Sequence, residues 1–254
     1  MNQPHAREQT GSLYDRCIVL RSAGKEAKID IYSEEGFNAL AELWMRSAWQ
    51  RRISYGILWM GIPIIQLPED LMMMHELICK VKPDVIVETG TAHGGTAVFY
   101  ASMLELLGKG RVISVDIEIR KSNRLAIQAH PMSSRITLVE GSSVRDSTVS
   151  KIREMIRPDE KVLVALDSNH SCDHVRGELE KYAPLVTPGS YIVVFDGVMK
   201  ILADAPNAKP GWVTDNPASA TQEFLGKHPE FEVDLYYNRL AVTYCPGGFL
   251  KRKR

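Results

Sequence analysis

Asp84-Val85-Ile86-Val87-Glu88-Thr89-Gly90-Thr91-Ala92-His93-Gly94-Gly95 is the stretch on which the fold turns. Its first half is an uninterrupted β-branched run with no polar alternation, the pattern of a strand buried on both faces. Its second half is a glycine turn opening a helix from about Gly94 to Leu107. Downstream the same alternation repeats. Strands at Arg111 to Asp116, Arg135 to Glu140, Lys161 to Asp167 and Tyr191 to Asp196 are separated by helices near Lys121 to Gln128, Ser147 to Ile156 and Asp173 to Leu185. Five strands with helical crossovers require a mainly parallel α/β sheet, Rossmann-like, with helices on both faces.

Further out the pattern changes. Residues 203–217 are rich in Pro, Gly and Asn, as befits a long loop over a site. After a helix from about Ala218 to Lys227, Phe231 to Tyr237 and Leu240 to Cys245 read as an antiparallel hairpin turning at Asn238-Arg239. Upstream, Ser33 caps a helix carrying Phe37, Leu40, Ala41 and Trp44, a turn-rich stretch runs from Trp59 to Pro68, and Pro68 opens a helix to about Val81. Residues 1 to about 33 give weak signals and are expected to form a partly ordered arm. The expected organisation is an arm and helical extension over 1–82, the α/β domain over 83–246, and a solvated basic tail over 247–254.

Composition narrows the function. Of 254 residues, 44% are hydrophobic and 24% charged, an ordinary globular balance. Lys plus Arg equals Asp plus Glu, 31 against 31, so no positive field for nucleic acid is expected. The longest apolar run, Ile57 to Ile65, is broken by Gly61 and Pro63, and the polar start Met1-Asn2-Gln3-Pro4-His5 lacks a signal-type apolar stretch. Cys17, Cys79, Cys172 and Cys245 form no CxxC pair. A cytoplasmic protein with reduced thiols, no membrane and no nucleic-acid partner is expected, and the arm leaves room for a homo-oligomer.

In an open parallel sheet, ligands bind beyond the carboxyl ends of the strands. The tip of the first strand offers Glu88, Gly90, Thr91 and Gly94: a turn that lets a ligand approach backbone amides, beside a carboxylate suited to a cationic or amino-bearing group. It is not GxGxxG, and a plain strand-to-helix turn would look the same. Asp116 ends the next strand, placed to accept ribose hydroxyls or to cap a helix. Ser142 and Ser143 follow the third, in a small turn that suits an adenine ring or equally a plain strand-to-helix connection. Asp167 and Asp196 end neighbouring strands, where two carboxylates repel unless protonated, paired or bridged by a cation such as Mg²⁺. His170, three residues past Asp167, can reach a hydroxyl held there, or it packs the following helix; His174 lies one helical turn on.

The run Trp59-x-Gly61-x-Pro63-x-x-Gln66-x-Pro68-x-Asp70, then Glu76, Val87-Glu88-Thr89-Gly90-Thr91, Gly94-Gly95, Leu166-Asp167-Ser168-Asn169-His170 and His174-Val175 resembles the cephalosporin hydroxylase / rhamnosyl O-methyltransferase family. The resemblance spans about Ile53 to Cys245 and implies a class I methyltransferase fold, whose parallel sheet closes with a C-terminal antiparallel hairpin. It implies S-adenosylmethionine as methyl donor and a small-molecule hydroxyl, a sugar or glycosylated natural product, as acceptor. By the same resemblance Glu88, Gly90 and Asp116 are cofactor ligands, with Asp167 beside them, Asp167 and Asp196 hold Mg²⁺, and His170 is the base. Related catechol-type methyltransferases carry a lysine at the offset of His170. The family often has adjacent acids at the tip of the fifth strand, whereas Phe195 and Gly197 flank Asp196 here, so a third protein ligand is missing from the expected set. Two other classes stay open: an inert nucleoside-binding module and a nicotinamide-dependent oxidoreductase.

Overall fold

Strand residues of the central sheet sort by parity onto its two faces. Ile86, Val112, Leu163, Ala165 and Val193 share one buried cluster with Leu77, Ile78, Phe99 and Leu104. Val85, Val87, Ile113, Val115, Val164 and Ile192 share another with Ile152, Leu179 and Phe224. Period-two alternation with both sets apolar is what a strand covered by helices on both faces needs. The computed structural model describes residues 16–22 and 25–254, and the chain divides into two compact units, 1–44 and 45–254.

In the first unit, β1 (Cys17–Ser22) pairs antiparallel with β2 (Lys25–Asp30). The described part of the expected arm is therefore a hairpin: β1 opens on the apolar run Cys17-Ile18-Val19-Leu20, a short strand signal that the weak reading of this segment passed over, and β2 is mostly polar; residues 1–15 and 23–24 lie outside the described residues. Helix α1 (Glu34–Gln50) starts behind Ser33, whose Oγ accepts from Gly36 N at 2.9 Å.

In the second unit, β3 (Leu58–Trp59) and β4 (Ile62–Pro63) turn at Met60 and Gly61, both at positive φ. Helix α2 (Pro68–Val81) carries Glu69 and Asp70 in its first turn. There follow β5 (Val85–Thr89), α3 (Gly95–Leu106), β6 (Arg111–Asp116), α4 (Lys121–Ala129), β7 (Ile136–Glu140), α5 (Asp146–Glu154), β8 (Val162–Leu166), α6 (Cys172–Tyr182), β9 (Tyr191–Val194), α7 (Pro217–Lys227), β10 (Phe231–Val233) and β11 (Phe249–Arg252). The sheet order is β10-β11-β9-β8-β5-β6-β7, with β7 through β9 parallel and β11 antiparallel to both neighbours. The order reverses between β5 and β8, the switch point where open α/β sheets bind ligands. This is the class I methyltransferase arrangement.

Three expectations need correction. The boundary near residue 82 is not a break, because α2 belongs with the sheet's compact unit. The hairpin closes with β11, not Leu240 to Cys245. Gly248 lies so close to β9 that a Cβ there would meet Val194 O at 2.2 Å, and pairing starts at the next residue. The last residues are consequently no solvated tail: Phe249 and Leu250 are buried, Lys251 pairs with Tyr191 and Glu232, and Arg252 donates to Val186 O at 2.6 Å. All four cysteines are free, and no described helix is long and apolar enough to cross a membrane.

Candidate active site

The tips of β5, β8 and β9 converge on a cavity of about 880 Å³. Gly90 sits at φ +91°, and a Cβ there would meet Asp167 O at 1.9 Å. Only glycine satisfies both demands, and the backbones of two strand ends thereby touch. Asp167 N donates to Thr89 O at 3.0 Å, Gly90 N to Val115 O at 2.8 Å and Phe195 N to Leu166 O at 3.0 Å, locking the tips of β9, β8, β5 and β6 side by side. Gly95 plays the same part against the β4 segment, where a Cβ would meet Pro63 O at 2.2 Å. Gly94 precedes α3 with no side-chain cap, so the first amides of that helix stay open. Ala92 lies between them in the left-handed region, at φ +45°.

Asp167, His170 and Asp196 each offer a ligand atom, all within 4.8 Å of one another. His170 Nε2 lies 3.2 Å from Asp196 Oδ2. Asp196 sits at φ +56°, a left-handed position directly past β9 that turns the chain into a short helical turn, Gly197–Lys200. Asp167 Oδ2 accepts from Gln66 Nε2 at 2.8 Å. Burial first, and then the carboxylates of Asp196 and Glu88, hold the Asp167 carboxyl well above the usual carboxylate range; Gln66 offsets this in part. A buried acid facing a second acid and an imidazole lowers its energy by taking up a proton or a cation. Two carboxylate oxygens and one imidazole nitrogen fit a divalent cation, with water or ligand oxygen completing its shell. His170 Nε2 thus stands where a third protein donor could, beside the two carboxylates.

Glu88 lies under the turn, 1% exposed, accepting from Ser114 Oγ. Burial pushes its carboxyl up to about 7, against hydrogen bonds from Ser114 and Thr96. Its Oε1 and the Oε1 of Gln66 are buried acceptors without a donor, which an N–H-bearing ligand would satisfy.

The structure thus brings Gly90, Thr91, Asp167, His170 and Asp196 onto one cavity. It does not bring the rest there. Asp116 closes the β6 tip, accepting from Ala92 N at 3.0 Å and Glu118 N at 3.3 Å. Gly94 packs on Ile127. Ser143 and Ser168 hydroxyls lie 3.1 and 3.2 Å from His174 Nε2, over the buried Glu178. Ser142 adjoins this network, and His174 is thereby engaged on the helix side of the β8 tip. Sequence reasoning quoted Gln66 and Asp70 inside a motif without giving either a role. It missed the aromatic wall of Trp49, Trp212 and Tyr244, which lines the cavity from three distant segments.

The model of the rhamnosyl O-methyltransferase/CmcI family matches residues 51–253. A rhamnosyl O-methyltransferase of Mycobacterium leprae (strain TN) is 28% identical over 199 residues, 77% of this chain and 82% of the relative. One from Mycobacterium tuberculosis (strain ATCC 25618 / H37Rv) is 27% identical over 198 residues, 76% of this chain and 77% of the relative. Among solved structures, apo CmcI superposes with TM-score 0.56 at 20% identity, over 79% of this chain and 77% of that one. CmcI with Mg and SAM gives 0.56 at 18%, over 79% and 78%. At those identities the structural likeness is one of fold.

Proposed function

The chain belongs to the rhamnosyl O-methyltransferase/CmcI family, and on that premise we propose that it is an S-adenosylmethionine-dependent O-methyltransferase whose acceptor is a hydroxyl of a sugar or glycosylated small molecule. The single observation that carries the reading is the convergence of Asp167, His170 and Asp196 beside the Gly90 turn. When bound, the sulfonium cofactor supplies an already activated methyl group, and a divalent cation, Mg²⁺ in this proposal, lowers the acceptor hydroxyl's pKa.

The residues of the chain do the remainder. The Gly90 turn and the open amides of α3 receive the methionine half of the donor, and Glu88, buried under the turn, supplies the carboxylate for its ammonium group. Asp116 accepts the ribose hydroxyls once it gives up its bond to Ala92. Ser142 and Ser143 flank the adenine. Asp167 and Asp196 would hold the cation, and His170 Nε2, 3.2 Å from Asp196 Oδ2, would take the hydroxyl proton. The 203–217 loop excludes water.

A second reading rests on the same three donors: His170 ligates the cation, and no side-chain base is needed. Metal content separates the two. A base predicts that His170→Ala retains the cation bound by wild type; a ligand predicts its loss.

The proposal is tested with S-adenosylhomocysteine. It should raise the melting temperature where NAD does not, because a ligand that binds only the native state stabilises it. Asp116→Ala should weaken its binding by roughly 1.5–3 kcal/mol, the scale of hydrogen bonds to a charged group. Stabilisation by NAD and not by S-adenosylhomocysteine would overturn the proposal in favour of an oxidoreductase.

A further inference from the structure

The cavity has an end that the cofactor does not claim. Trp49 stands edge-on to two rings at once, with centroids 5.7 Å from Trp212 and 5.6 Å from Tyr244, both at 79°. The three come from the end of α1, the 203–217 loop and the segment before β11. Tyr244 and the Trp212 loop are held through hydrogen bonds of their backbones and neighbours. Tyr244 N donates at 2.7 Å to the buried Asp70, and Tyr244 O accepts from Val198 N at 3.2 Å, directly past Asp196. Trp212 O accepts from Asn216 Nδ2 at 2.8 Å, and Asp215 of the same loop accepts from Cys172 N at 2.6 Å, two residues after His170. Arg46 and Asp204 pair across the loop's start. Around the rings, Arg52, Asn207 and Lys209 line the same cavity, Arg52 with its backbone held at φ +52°.

Sheet order says which ligand this end serves. Asp116 ends β6 and Asp196 follows β9, so three strand spacings separate them, roughly 14 Å at about 4.8 Å each. An adenosine on the β6 and β5 side leaves the wall beyond β9 free. The wall's chemistry then selects the occupant. A pyranose ring has one apolar C–H face, whose weakly positive hydrogens suit the negative face of an aromatic ring, and a rim of hydroxyls that need donors and acceptors. The part-exposed rings of Trp49 and Trp212, backed by the buried Tyr244 and ringed by Arg52, Asn207 and Lys209, offer that pair of surfaces together.

We infer that Trp49, Trp212 and Tyr244 form the acceptor subsite, and that it takes a pyranose ring stacked on the aromatic wall with one hydroxyl turned to Asp167, His170 and Asp196. The inference rests on the methyltransferase reading and adds where, and by which face, the acceptor binds. Trp212, from a loop that sequence composition alone marks as a lid, becomes a specificity-determining residue.

The test is ligand-observed saturation-transfer NMR on protein loaded with S-adenosylhomocysteine, using methyl pyranosides as probes and catechol as the planar alternative. Wild type should bind a pyranoside through the hydrogens of one ring face. Trp212→Ala should weaken that binding about tenfold, the scale of one aromatic contact, and Trp212→Phe should restore most of it. S-adenosylhomocysteine affinity, measured by calorimetry on each variant, should stay within about twofold and certifies the fold. Pyranoside binding unchanged in Trp212→Ala, or catechol bound where no pyranoside is, would overturn the subsite. Failure of wild type to bind S-adenosylhomocysteine would instead strike the methyltransferase reading beneath it.

Discussion

At the Gly90 end of the cavity the closest contacts are backbone against backbone; at the Trp212 end they are side chain against side chain. Gly90 lies against Asp167 O and Gly95 against Pro63 O, positions where any Cβ would collide. The aromatic wall stands at ring separations of 5.6 and 5.7 Å and hangs from hydrogen bonds to Asp70, Asn216 and Cys172. The first kind of construction admits almost no substitution and suits a ligand that never changes. The second can be exchanged ring by ring without moving a strand. Asp167, His170 and Asp196 sit at the junction of the two.

The largest effect is expected at that junction. Losing a positioned base costs about 10²–10⁴-fold in rate, so His170→Ala should lower turnover on that scale while cofactor affinity and melting temperature hold. A destabilised variant with full turnover per folded molecule would reduce His170 to a packing residue. The Gly90 end is broken by Gly90→Ala, which combines a positive φ with a collision against backbone. A cost of about 3 kcal/mol or more in stability is expected, read by chemical denaturation, together with loss of S-adenosylhomocysteine binding. Tolerance of alanine there would mean that the strand tips are not locked as described.

The smallest effect sharpens the comparison from beneath the aromatic wall. Burial pushes the Asp70 carboxyl up to about 7, against hydrogen bonds from Thr243 and Tyr244. A folded-state pKa above the unfolded one lends stability that is complete below the ordinary carboxylate range and is lost as pH climbs through about 7. Glu88 acts in the same direction at the other end, also up to about 7. Asp84 and Glu160 are held low by their Lys and Arg partners, so they stay ionised throughout that window and add no slope. Melting temperature should therefore decline between about pH 5 and 8. Asp70→Asn should flatten the decline without changing S-adenosylhomocysteine affinity, and an equally steep decline in the variant would place its origin elsewhere.

The same division explains what the sequence disclosed. β5, β8 and β9 are short apolar runs that end at the cavity, so reading strand tips was enough to find Gly90, Asp167 and Asp196, whereas Glu88 lies buried under the turn and Asp116 closes the β6 tip. His170 was legible from its offset, although its nearness to Asp196 needed the chain's folded path. The wall was not legible, because residues 49, 212 and 244 share no local pattern and meet only through the packing of three segments. The closing strand was missed for a related reason. Thr243 and Tyr244 are β-formers that instead bond Asp70, Tyr244 also lining the cavity, while Lys251 and Arg252 look solvated yet pair in the sheet. Where a strand's partners supply the burial, its own composition says little.

Metal-assisted deprotonation at the junction is most directly tested by measuring methyl transfer from S-adenosylmethionine to a pyranoside with and without EDTA, alongside calorimetric binding of S-adenosylhomocysteine. The account predicts that chelation removes turnover, that Mg²⁺ restores it, and that S-adenosylhomocysteine binds with nearly the same affinity in both conditions. Full turnover in excess EDTA, with bound metal verified as negligible, would contradict it.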